Sequence, residues 1–370
     1  MRRNAPPLSR SIRLLFGAAL IAGAASIAAH RLPAAHAAAG DLQTCEQASG
    51  DEAIAACTRA IASGAYQGHD LAKLHYDRAF EYHAKGDEDR AIAGYGEAIR
   101  LDPNYALAFH SRANSWQAKR DNDRAIADFN ESIRIDPDYA DSYNNRGSAW
   151  LAKGDNDRAI ADFSAVIRLA PNDPDGFSNR GATWKLKSDT EHAIADLNEA
   201  IRLNPKDACA VYNRAATWSD KGDKDRAIAD YSEAIRLNPN YAVAFNNRGN
   251  EWRDKGDKDR ALADYGEAIR LNPNVAFFYL NRGTAWGDKG DNDRAIADYS
   301  EAIRLNPNSA MALYLRGVAK QKKGDKAGGT ADIAAAKRID PNAAGIEDQD
   351  FVGRLGPLYS PEGYYFRFAN

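Results

Sequence analysis

The chain has 370 residues, of which 44% are hydrophobic and 27% charged, and a formal net charge of −3. This balance suits a folded chain and excludes both a disordered polyelectrolyte and a polytopic membrane protein. Only the first forty residues depart from it.

Those residues begin MRRNAPPLSRSIR, continue with the sixteen-residue apolar run LLFGAALIAGAASIAA, and end on small residues. The layout is that of a secretory signal peptide over 1–37, with Ala35-His36-Ala37 as the cleavage triplet. The alternative is an uncleaved anchor, because the run falls just short of the roughly 17–25 residues that span a bilayer. The expected location is periplasmic or secreted, or else tethered to the inner membrane facing the periplasm. A membrane is a partner only if the segment is retained. Removing 1–37 takes away five arginines and no acid, moving the charge from −3 to −8. Such an acidic chain is a poor ligand for phosphate backbones, so nucleic acid is not expected as a partner.

Residues 41–71 read as a degenerate capping unit and linker, in which DEAIAACTRAIASG (51–64) echoes DRAIADYSEAIRLN (225–238). Cys45 and Cys57 lie close together there, and in an exported chain they are disulfide candidates. Cys209 is left as an odd thiol.

From residue 72 onward the chain repeats. Prolines stand at 103, 137, 171, 205, 239, 273, 307 and 341, each thirty-four residues after the last, so eight units fill 72–343. Each unit holds two helical stretches parted by a glycine-aspartate turn such as Gly256-Asp257. In the sixth unit Phe245, Gly249 and Trp252 share one helical face, as do Ala261, Tyr265 and Ala268. The spacing predicts a capped start at Asp257 and a stop at Pro273. The six tryptophans occupy one column, read here as buried core. Arg260 and Asp264 are read as a surface pair one helical turn apart. Residues 344–370 leave the period and read as a capping helix followed by an aromatic tail ending in Tyr364, Tyr365, Phe366 and Phe368.

The order Phe245, Gly249, Trp252, Ala261, Tyr265, Ala268, Pro273 resembles the tetratricopeptide repeat family. The resemblance implies an all-α fold: an α-solenoid of stacked 34-residue helix-turn-helix repeats forming a right-handed superhelix. It also implies a concave face lined mainly by first helices. Where the family often has leucine, Arg78, Arg112, Arg146, Arg180, Arg214, Arg248, Arg282 and Arg316 stand here. Such an arginine needs an acceptor such as Asp230, or else forms a charged ligand stripe.

The most regular polar column on the first helices is Asn145, Asn179, Asn213, Asn247 and Asn281. Amides offer donors and acceptors together, so the column could hold an extended peptide backbone, with Tyr212 and Tyr314 adding apolar contacts. It resembles the asparagine ladder inside the tetratricopeptide superhelix of O-GlcNAc transferases, a resemblance that concerns the groove alone. Equally, the asparagines could bridge adjacent helices. Phe277, Leu280, Met311, Tyr314 and Leu315 suggest an apolar patch that is either a partner site or covered by the tail.

Catalytic, metal and cofactor sites are not expected. His83 and His110 are the one pair that could meet across adjacent first helices. The expected function is a non-catalytic scaffold or adaptor binding a protein or peptide segment. The alternative is an accessory subunit of an envelope enzyme or of a polysaccharide or protein export complex.

Overall fold

A computed structural model of the chain describes residues 39–343. The expected signal peptide (1–37) and the expected capping helix and aromatic tail (344–370) lie outside the described residues. Within them every regular element is a helix and no strand occurs. Two compact units divide the chain at Lys153 and Gly154.

The first unit contains α1 (39–47), α2 (Gly50–Ala62), α3 (Gly68–Ala84), α4 (Glu88–Leu101), α5 (Ala106–Ala118), α6 (Asn122–Ile135) and α7 (Ala140–Ala152). The second contains α8 (Asn156–Leu169), α9 (Pro174–Leu186), α10 (Thr190–Leu203), α11 (Ala208–Asp220), α12 (Lys224–Leu237), α13 (Ala242–Asp254), α14 (Lys258–Leu271), α15 (Ala276–Asp288), α16 (Asn292–Leu305), α17 (Ala310–Lys322) and α18 (Lys326–Ile339). In both units consecutive helices pack against one another as hairpins.

Local chemistry sets the hairpin. At the turn after α13, Gly256 takes φ +83°, a left-handed conformation that glycine adopts without a Cβ penalty. Asp257 then caps α14 by accepting from the Arg260 amide at 3.0 Å. Asn272 ends α14 in an extended conformation, as a residue before proline must. Arg120 and Ser188 occupy the glycine's place in two turns, with φ of 61° and 60°.

The hairpins close on small residues. An ideal Cβ on Gly249 would lie 2.8 Å from the Tyr265 ring, and one on Gly283 would lie 2.9 Å from Tyr299. Ala261, Tyr265 and Ala268 are wholly buried in the resulting core.

The arginine column is built in rather than displayed. Arg248 grips Asp264 with two hydrogen bonds, of 2.8 and 2.7 Å, and Arg112, Arg180, Arg214, Arg282 and Arg316 each do the same with the aspartate sixteen residues on. Several also reach back one repeat, as Arg248 does to the Ser232 hydroxyl at 3.0 Å. A turn lysine supplies a second tie: Lys119, Lys153, Lys187, Lys255, Lys289 and Lys323 pair with Asp89, Asp123, Asp157, Asp225, Asp259 and Asp293 of the preceding repeat.

The same two ties hold the N-terminal unit. Arg78 donates to Thr58 at 3.2 Å and Lys85 pairs with Asp51, so α1 and α2 join the array in register. Cys45 and Cys57 form a disulfide within that hairpin.

Candidate functional site

The first helices α3, α5, α7, α9, α11, α13, α15 and α17 carry every expected binding residue. Side chains three, four and seven residues apart share a helix face, which makes the second, fifth, ninth and twelfth positions of each repeat one surface.

The five asparagines lie beneath that surface. Asn145, Asn179, Asn213, Asn247 and Asn281 are all buried, with Asn247 the most accessible at 9%. In the first unit Asn144 donates to Asn145 at 3.3 Å, Asn145 to Asn114 at 2.9 Å, and Asn114 to Nε2 of His110 at 3.0 Å. His110 closes the chain through Nδ1 to Ser142 at 2.9 Å. In the second unit Asn281 donates to Asn246 at 2.9 Å, Asn246 to Asn247 at 3.1 Å, and Asn247 to the hydroxyl of buried Tyr212 at 2.9 Å. The side chains of Asn145, Asn247 and Asn281 thus bridge adjacent first helices. The buried Nδ2 of Asn213 has no hydrogen-bond partner.

His110 receives no charge from its neighbours. Burial holds its pKa down at about 4, so the ring is neutral around pH 7. His83 bonds separately to Glu88 at 2.8 Å and Ser115 at 3.2 Å, so the two histidines do not form the pair that the sequence allowed. Among the described residues no group of three His, Cys, Asp or Glu side chains is placed to hold a metal.

The apolar patch moves from where the sequence put it. Leu280 and Met311 are buried in a cluster with Ala295, Tyr299 and Ala302, while Phe277, Tyr314 and Leu315 are only half-buried. The exposed large apolar side chains on first helices are instead Phe80, 50% accessible on α3, and Leu107, 36% accessible on α5. Phe80 stands at the ninth position of its repeat and Leu107 at the second, and both fall on the shared face. The Tyr76 ring stacks 6.5 Å from Phe80 and its hydroxyl bonds Ser111 at 3.1 Å. A signal for Phe80 was present in the sequence, since the other repeats carry Asn114, Ser148, Ala182, Ala216, Asn250, Thr284 and Val318 at that position.

In the second unit the same face is polar at its C-terminal end. Lys185, with its side chain almost buried, pairs with Asp220 at 2.8 Å. Arg253 lies 3.7 Å from Asp288 and 3.9 Å from Asp254. Glu251 accepts from Ser219, and burial raises its pKa.

Two sequence readings are corrected at the turn edge. The six tryptophans are half-buried, and in four of them an arginine rather than core covers one ring face. Arg124, Arg226, Arg260 and Arg294 lie 3.8, 4.5, 3.6 and 4.2 Å from the centroids of Trp116, Trp218, Trp252 and Trp286. Arg260 pairs with Asp257 at 2.6 Å and not with Asp264, which Arg248 already holds.

Stacked helical hairpins, whose first helices share a face within each unit, define a helical-repeat scaffold of the kind that presents a surface to other proteins. The chain belongs to the tetratricopeptide repeat family. Models described as tetratricopeptide repeat match residues 72–105, 110–174, 208–241 and 242–275, and one described as TPR repeat matches 288–324. No curated protein matches the chain.

Among solved structures, a tetratricopeptide repeat protein from Parabacteroides merdae is 17% identical, with a TM-score of 0.55 over 67% of this chain and 98% of that one. The APC/C hetero-tetramer Cut9-Hcn1 is 18% identical, with a TM-score of 0.56 over 72% of this chain and 52% of that one. Pseudomonas aeruginosa PilF is 17% identical, with a TM-score of 0.50 over 55% and 92%. At these identities the likeness is one of fold.

Proposed function

We propose that the protein is a non-catalytic scaffold that binds a segment of another protein along the face of its first helices. The observation that carries this reading is the exposure of Phe80 and Leu107 on neighbouring first helices, where apolar side chains gain by being covered. Within the second unit, half-buried Tyr314 on α17 is a separate candidate contact. The asparagine column then acts from below, setting the spacing of the first helices and so the shape of the face, while Tyr212 anchors one end of that network.

The partner is a protein or peptide segment with apolar side chains for the α3 and α5 surface; the Lys185, Arg253 and Asp254 region of the second unit suits polar groups. The Phe80→Glu/Leu107→Glu variant puts charges where a partner's apolar groups would sit. It is expected to lose proteins that copurify with the wild type while keeping its helical circular dichroism. Unchanged copurification would overturn the reading.

The same proposal places the mature chain outside the cytoplasm, on the basis of the charged, apolar and small-residue order of 1–37. Mass spectrometry of the protein from its native cell should give a mature start near Ala38. An intact Met1 would instead indicate a retained anchor.

A further inference from the structure

The last repeat differs from the others in charge. Residues 310–343 hold seven basic and three acidic side chains, a net +4, whereas the preceding repeat, 276–309, holds four and five, a net −1. Of the seven, Arg316 and Lys320 share Asp332, and Lys323 pairs with Asp293. Lys322, Lys326, Lys337 and Arg338 are exposed and form no ion pair among the described residues.

Two substitutions show that this end is not built to receive another repeat. Lys337 stands in the column that holds Ile99, Ile133, Ile167, Ile201, Ile235, Ile269 and Ile303. Ala327 replaces the acid to which a following turn lysine would pair. Lys326 stands where Lys224 and Lys258 donate to main-chain carbonyls at the end of the next first helix, those of Asp254 and Asp288.

We infer that this basic end docks the chain's own acidic segment Glu347, Asp348 and Asp350. The two are complementary in charge, and Glu347 lies only four residues beyond Ala343, which is itself buried against Leu313 and Ala336. A tether that short gives the segment a high effective concentration at the lysines. Contact between exposed charges is also screened by salt, so docking weakens as ionic strength rises.

The test is hydrogen exchange of the α18 amides in the full chain, at low and high salt and at two protein concentrations. A tail variant, Glu347→Lys/Asp348→Lys/Asp350→Lys, is compared with the same tail combined with Lys322→Glu/Lys326→Glu/Lys337→Glu. Two or three exposed ion pairs correspond to roughly three- to tenfold in exchange rate. The tail variant should speed exchange by that factor at low salt, and the combined variant should restore it at either concentration. Equal exchange in wild type and tail variant would overturn the inference. So would protection that grows with protein concentration, which would assign the contact to another copy's tail.

Discussion

His110 shows how one buried ring makes the first unit sensitive to acid. Its folded pKa lies below that of an unfolded histidine, so protons bind the unfolded state more readily. The stability it permits is fully present above about pH 6.5 and is lost as pH falls toward 4, by about 3 kcal/mol in all. Urea midpoints measured across that range should fall with pH in the wild type and flatten in His110→Asn. At the turns, Ser188 and Arg120 hold left-handed backbone that costs a residue with a Cβ about 1 kcal/mol. Ser188→Gly should therefore raise the denaturation midpoint, and an unchanged or lower midpoint would mean that the turn carries no such strain.

At the level of elements, the arginine and aspartate of each hairpin act as one part. Asp264→Ala strands Arg248 in a largely buried site and should cost about 3 kcal/mol, whereas the double change Arg248→Leu/Asp264→Leu should recover most of the loss. A cycle of equilibrium unfolding measurements gives the coupling. Reducing the Cys45–Cys57 disulfide should loosen α1 and α2 by about 3 kcal/mol on the loop-entropy account, seen as faster hydrogen exchange in α2. The hairpins themselves were legible in the sequence because proline, glycine and capping aspartate act on their own backbone. The partner of Arg260 was not, since helical spacing offers Asp264 while the folded chain offers Asp257 and the Trp252 ring. The depth of the tryptophans was hidden for the same reason: it depends on a cation from the next helix. The asparagines were correctly placed on the first helices, yet whether they faced outward or sideways depended on the neighbouring helix 34 residues away.

At the scale of the molecule, repetition supplies most of the cohesion and irregularity supplies the candidate functions. Arginine and lysine ties recur along both units and tell one repeat little about another. Phe80 and the basic last repeat are departures from the period, whereas Leu107 shares an apolar column with Val243, Phe277 and Met311 and is the exposed member of it. No helix among the described residues is long and apolar enough to cross a membrane. The most direct measurement of the central claim is site-specific photo-crosslinking in the native cell. Probes would stand at Phe80, Leu107 and Tyr314, with an exposed second-helix control at Arg270. Discrete adducts with another protein from the first-helix sites, absent at the control, are the predicted result. Adducts from the control alone, or from none of the four positions, would contradict a binding face made of first helices.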